Sequence, residues 1–233
     1  MTTVAASTVH LAIDASRVSI TATADLSRIA TSAGRFTVDG IVREVTTQPA
    51  GFFDLLVTAE GLRPTEEYQY RGGTLRLGQT IHRDAWSRSR RTDTTAVWEA
   101  GGWSMAVTGA DLDAGTVLTL LDRLDLRPGP EGLAVLPGGG IAWYDAPQLV
   151  KEVPGVGLLE VLPLSADTAR SLPSWPGTPV AGGELYRDEM APGVPYLVLV
   201  TETALVNVLP DEGGIEAATE GASALSVEWE REP

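Results

Sequence analysis

The chain has 233 residues and a formal net charge of −14, with 43% hydrophobic and 21% charged residues. This composition is that of a folded globular protein, and the negative charge disfavours binding to nucleic acid or to anionic membranes. The absence of cysteine excludes disulfides, thiolate nucleophiles and cysteine-ligated metal centres. No apolar run reaches the roughly 18 residues that a membrane-spanning helix requires, and no signal peptide is visible at the start.

The first half of the chain alternates short β-branched and apolar runs with turn residues, a pattern typical of antiparallel strands. The turn at Asp39–Gly40 is the strongest hairpin signal, because glycine accepts the positive φ of a tight turn. Residues 52–60, FFDLLVTAE after a glycine, are predicted as a strand. Hairpins are predicted at residues 9–24, 35–47, 67–78 and 95–109.

One amphipathic helix is predicted near residues 113–125, and acidic residues at its start favour a cap and the helix dipole. Four apolar residues recur there at helical spacing: Val117, Leu120, Leu121 and Leu124. Residues 127–132, RPGPEG, end the helix because proline cannot continue the backbone hydrogen bonds. They are a possible subdomain boundary within what is otherwise predicted to be a single β-rich domain, residues 1–233.

The second half continues the same pattern of strands and turns, with a short helix predicted at residues 165–172 and a loop at residues 174–183. Strands or hairpins are predicted at residues 132–145, 157–164, 196–210 and 224–230. The predicted fold class is α+β, mostly antiparallel β, with about a dozen short strands and one amphipathic helix.

The sequence carries little catalytic machinery, since its only imidazoles are His10 and His82. His10 alternates within a predicted strand, which favours a structural position. The glycine-rich residues 137–143 and 155–160 lack the other residues of nucleotide-binding loops and are predicted turns. Residues 111–115, DLDAG, lack an oxygen ligand at the fifth position of a calcium loop. We therefore predict no catalytic residue, no bound metal and no cofactor from the sequence.

Residues 78–93, GQTIHRDAWSRSRRTD, are the main candidate site, because they concentrate basic and aromatic residues in an acidic chain. Arginines bind phosphate or carboxylate by paired hydrogen bonds, and the aromatic side chain can stack. The candidate binding residues are His82, Arg83, Trp86, Arg88, Arg90 and Arg91. The alternative is a structural connection from a strand ending near Leu77 to one starting near Thr95. Trp175, between prolines in PSWPG, is a further candidate anchor for a partner.

Charge is unevenly distributed along the chain. Residues 61–91 hold seven arginines against three acidic residues, whereas residues 184–233 hold two arginines against eleven. Three interpretations stay open: the two segments face each other, they attract neighbouring copies of the protein, or they form a bipolar surface for a partner.

These observations together favour a non-catalytic protein-binding or assembly protein, acidic and soluble, such as an inhibitor or immunity-type protein or a structural subunit. Its expected partner is another protein or a further copy, with no nucleic acid and no membrane insertion. The alternative is an enzyme with a dispersed site around His82, acting on an anionic small molecule. The expected location is the cytoplasm of a bacterium, or an extracytoplasmic ligand-binding role if a leader has been removed.

Overall fold

The computed structural model describes residues 5–83, 90–110 and 112–231. The strands are β1 (Ala6–Leu11), β2 (Arg17–Ala22), β3 (Ala30–Val38), β4 (Ile41–Pro49), β5 (Arg63–Tyr70), β6 (Gly73–Arg83), β7 (Arg90–Ala100), β8 (Trp103–Gly109), β9 (Leu124–Gly129), β10 (Gly132–Pro137), β11 (Ala142–Trp143), β12 (Gln148–Val153), β13 (Gly157–Pro163), β14 (Thr178–Val180), β15 (Gly183–Ala191), β16 (Val194–Val200), β17 (Ala204–Leu209) and β18 (Ser226–Glu230). The helices are α1 (Phe52–Leu55), α2 (Ala114–Asp122) and α3 (Gly214–Ser223), with a π-helical turn at Leu56–Glu60 and a 3₁₀ turn at Thr168–Ser171.

The described chain is mostly antiparallel β-sheet, which confirms the β-rich architecture predicted from the sequence. It carries three short α-helices rather than one, so the single-helix description was too simple. None of the helices in the described ranges has the length and apolar character needed to cross a lipid bilayer.

The chain divides into two compact units. Neither of the two boundaries between the units falls within residues 127–132. The first unit comprises Met1–Ser32 and Ala146–Pro233, and the second comprises Ala33–Asp145. Residues 127–132 lie inside the second unit, where they contain the turn between β9 and β10.

The first unit contains a six-stranded antiparallel sheet in the order β14-β15-β16-β17-β13-β12 and a three-stranded sheet in the order β1-β2-β18. Apolar residues on alternating strand positions form its core, because alternation places them on one face of each sheet. Helix α3 adds Ile215, Ala218 and Ala222 to this core and contacts β16 and β17.

A buried lysine and a half-buried histidine lie in the first unit. Lys151, on β12, is 1% exposed, and its Nζ donates hydrogen bonds to the carbonyl oxygens of Leu26, at 2.9 Å, and Arg28. Burial lowers the pKa of Lys151. Burial, and then the charge of Lys151, lower the pKa of His10 to about 4. Among the described residues, the buried Nε2 of His10 has no hydrogen-bond partner.

The second unit is built on antiparallel strands in the order β3-β4-β8-β7-β6-β5, with β11 pairing with β3. One face of β6, β7 and β8 carries fully buried apolar side chains, among them Leu75, Leu77, Trp98 and Met105. The β9–β10 hairpin contacts this part of the sheet through β10, which lies against β4 and β8.

The opposite face is partly covered by α1 and the π-helical turn, where the sequence predicted a strand at residues 52–60. That prediction was wrong. Phe53 and Leu56 are three positions apart, so a helical backbone brings both against Val97 and Ala106 of the sheet. A short apolar run has the same composition in a strand and in a buried helix, and periodicity alone does not separate them.

Helix α2 is present where the sequence predicted it but is shorter than residues 113–125. Its N-cap is Asp113, whose side chain accepts a hydrogen bond from the backbone N–H of Thr116 at 2.7 Å. The helix ends at Asp122, and Leu124, expected in its apolar stripe, begins β9 instead.

Candidate binding site

The candidate segment forms the end of a long hairpin. Strands β6 and β7 pair continuously from Thr74↔Glu99 to Arg83↔Arg90. One strand was predicted to end near Leu77 and the next to start near Thr95. Both bounds were wrong, since β6 continues to Arg83 and β7 begins at Arg90. The β-branched residues Thr80, Ile81 and Thr92 favour an extended backbone in this ribbon.

This hairpin extends past the strands that flank it. The last pair between β5 and β6 is Arg63↔Gln79, and the last pair between β7 and β8 is Thr94↔Gly109. Among the described strands, residues 80–83 and 90–93 therefore pair only with each other. We call these eight residues the basic hairpin end, because they contain three arginines and one aspartate.

The structure brings four of the predicted residues together on one hairpin. His82 is directly opposite Arg91, and Arg83 is directly opposite Arg90. Trp86 and Arg88 lie outside the described residues. Trp175 lies in the first unit, before β14, and its side chain is exposed.

Asp93 organises one face of the basic hairpin end, and sequence reasoning did not single it out. Its Oδ1 accepts a hydrogen bond from Nε of Arg91 at 2.7 Å, and its Oδ2 lies 3.6 Å from Nε2 of His82. The Asp93 side chain is only 11% exposed, against 67% for Arg91 and 58% for His82. The distance to His82 is beyond hydrogen-bond range, so among these two described neighbours the carboxylate forms a hydrogen bond with Arg91 and not with His82. The sequence signal for Asp93 was its alternation with Arg91 on a single strand face.

A polar groove of about 330 Å³ lies next to the basic hairpin end. The sheet is open here because α1 and the π-helical turn cover only the neighbouring part of this face. Two of its threonines face each other across β7 and β8, with the Oγ1 atoms of Thr95 and Thr108 2.9 Å apart. The groove is lined by Glu44, Thr46, Phe52, Leu56, Glu60, Thr80, His82, Asp93, Thr95, Ala106 and Thr108.

This arrangement has hydrogen-bonding capacity, but the residues that the structure describes form no assembled catalytic triad there. A histidine base acts on a nucleophile that is hydrogen-bonded to it, and none of the described contacts joins His82 to a hydroxyl group. The described residues also contain no cluster of three or more His, Asp or Glu side chains that could hold a metal ion. No protein-family model, curated protein or solved structure matches the chain.

Proposed function

We propose that this protein is a non-catalytic binding or assembly protein whose partner contact is the basic hairpin end. The observation that carries the proposal is the extension of this end beyond its neighbouring strands, which leaves both edges of the ribbon without a described strand partner. Charged side chains on such an edge oppose indiscriminate strand pairing. Recognition therefore depends on side chains and favours a partner with complementary charge.

The charge of the ribbon supports an acidic partner. The basic hairpin end carries a net +2 and the rest of the chain carries −16. Arg91 uses Nε for Asp93, and its two terminal nitrogens have no partner within the described part of the chain. A guanidinium presents such nitrogens as a planar fork that matches a carboxylate.

Charge reversal at the ribbon tests the proposal. We expect Arg90→Glu/Arg91→Glu to reduce the co-purification of co-expressed neighbouring gene products by roughly tenfold, because complementary charge governs association. The same loss is expected for the wild type when the salt rises from about 50 mM to about 500 mM.

The matched control is Arg127→Glu/Arg170→Glu, which changes the net charge equally at two exposed arginines, one in each unit. The control is expected to retain partners as the wild type does. Equal retention by the ribbon variant and the control would overturn the proposal.

A second candidate function is an enzyme that acts on a small anionic molecule in the polar groove. The observation in its favour is that His82 faces the carboxylate of Asp93 at the groove. Hydrolysis of p-nitrophenyl phosphate or p-nitrophenyl acetate by the wild type, lost in His82→Gln, would favour the enzyme over the binding protein.

A further inference from the structure

A second hairpin extends beyond its neighbours, and it belongs to the first unit. Strands β15 and β16 pair from Glu184↔Val200 to Ala191↔Val194. The pairing of β14 with β15 reaches only Leu185, and the pairing of β17 with β16 reaches only Leu197. We call residues 186–196 the acidic hairpin end, because its charged residues are Asp188 and Glu189 against Arg187 alone.

The carboxylates of the acidic hairpin end are held by hydrogen bonds from the opposite strand and the turn of the same hairpin. Oδ2 of Asp188 accepts a hydrogen bond from the hydroxyl of Tyr196 at 3.3 Å. Oε2 of Glu189 accepts one from the backbone N–H of Gly193, also at 3.3 Å. The two carboxylates are thus positioned before any partner arrives. Strand alternation places the side chain of Arg187 on the face opposite Asp188, which is the face of Glu189.

Exposed apolar side chains accompany the charges on both hairpin ends. In the acidic hairpin end, Met190 is 60% exposed and Val194 is 50% exposed. Met190 is the extra residue at the register shift between Glu189 and Ala191, and such bulges direct a side chain away from the ladder. In the basic hairpin end, Ile81 is half-exposed. Each end therefore offers a small apolar contact beside its charges.

We propose that the basic hairpin end of one copy binds the acidic hairpin end of another copy of this chain, an inference that rests on the proposed function. The two ends carry +2 and −1, and both expose apolar residues. The guanidinium groups of the basic hairpin end bind the carboxylates of the acidic hairpin end by paired hydrogen bonds, and the exposed apolar side chains pack beside them. Because the two surfaces differ, the contact is heterologous, and repeated contacts build a ring or a filament.

Reciprocal charge reversal tests this contact. The first variant, Arg90→Glu/Arg91→Glu, has two acidic ends, and the second, Asp188→Arg/Glu189→Arg, has two basic ends. Sedimentation velocity of the purified proteins over a concentration series measures self-association. We expect each variant alone to self-associate at least about tenfold more weakly than the wild type. The equimolar mixture is expected to recover association, because each end of one variant then complements the opposite end of the other.

Two control variants separate this contact from a general effect of net charge. Arg127→Glu/Arg170→Glu matches the first variant, and Glu216→Arg/Glu220→Arg, at exposed positions of α3, matches the second. Both controls are expected to associate as the wild type does, and their mixture is expected to show no gain. Recovery in the control mixture, or none in the variant mixture, would overturn the proposed contact.

The failure of this inference is distinguishable from the failure of the proposed function. A wild type that remains monomeric at every concentration, but still retains a neighbouring gene product only when Arg90 and Arg91 are intact, overturns the self-association alone. A wild type that is monomeric and whose co-purification is unaffected by Arg90→Glu/Arg91→Glu overturns both.

Discussion

Replacing Gly157 with alanine is expected to destabilise the first unit by about 4 kcal/mol or more, in the range reached when a substitution forces strained backbone. Gly157 opens β13 with a φ of +131°, a region that side chains rarely adopt. A Cβ at this position would lie 2.1 Å from the carbonyl oxygen of Leu209 on β17. Both atoms belong to the paired sheet, so neither moves without breaking strand pairing.

Gly155, two residues earlier in the same turn, provides the matched control. It also has a positive φ, +80°, but a Cβ there would meet no atom within 4 Å. Gly155→Ala is therefore expected to cost only about 1–2 kcal/mol, the penalty of the left-handed backbone. Free energies of unfolding from urea denaturation measure both effects. An equal loss in the free energy of unfolding for the two variants would contradict this explanation. It would show that the short distance between residue 157 and the carbonyl oxygen of Leu209 is not what requires glycine.

The stability of the protein is expected to fall by up to about 2 kcal/mol between pH 6.5 and pH 4 because of His10 alone, after allowance for its partial exposure. The pKa of His10 is about 4 in the folded chain and 6.5 in the unfolded chain. As the pH falls, the unfolded state binds the proton first, so protonation favours unfolding. The contribution is complete above pH 6.5, declines through the window and levels off below pH 4.

Denaturation of the wild type and of His10→Leu at pH 7 and pH 4.5 isolates this effect from other titrating groups. The variant is expected to lose the part of the pH dependence that belongs to His10. It is not expected to lose stability at pH 7, because the buried Nε2 has no hydrogen-bond partner among the described residues. His10→Gln, which also does not titrate, must lose the same component. Unchanged pH dependence in both variants would contradict the assignment.

Turn residues made several hairpins predictable. Asp39 and Gly40 both have positive φ values in the turn between β3 and β4, as an Asp-Gly turn between alternating strands predicts. Gly101 and Gly102 also have positive φ values, in the turn between β7 and β8. These signals are local, because the preference of glycine for a positive φ does not depend on the rest of the fold.

Other elements were missed because their sequences carry weak or ambiguous local signals. Helix α3, GIEAATEGAS, mixes strong helix formers, three alanines and two glutamates, with two glycines of low helix propensity, although Ile215, Ala218 and Ala222 form a buried stripe. The burial of Lys151 was equally inaccessible from the sequence. Its partners are carbonyl oxygens of residues 26 and 28, more than 120 positions away, and only the folded chain brings them to Nζ.

The candidate site was predictable in its residue types but not in its form. The concentration of arginines around His82 was visible in the sequence, whereas the role of Asp93 depends on which side chains share a strand face. The acidic hairpin end was visible only as part of a broadly acidic region, since β15 gave no strong strand signal. Strand pairing determines which of these charged residues belong to the basic hairpin end and which belong to the acidic hairpin end.

The sequence by itself determined the β-rich character of the chain, the positions of its sharpest turns, its acidity and the absence of thiol chemistry, because these depend on residue type and near neighbours. Only the tertiary structure decided where strand pairing stops, and therefore which hairpin residues extend beyond the sheets. The physical reason is that a strand's partners come from distant parts of the chain. Register and sheet edges follow from packing between those parts rather than from local preference.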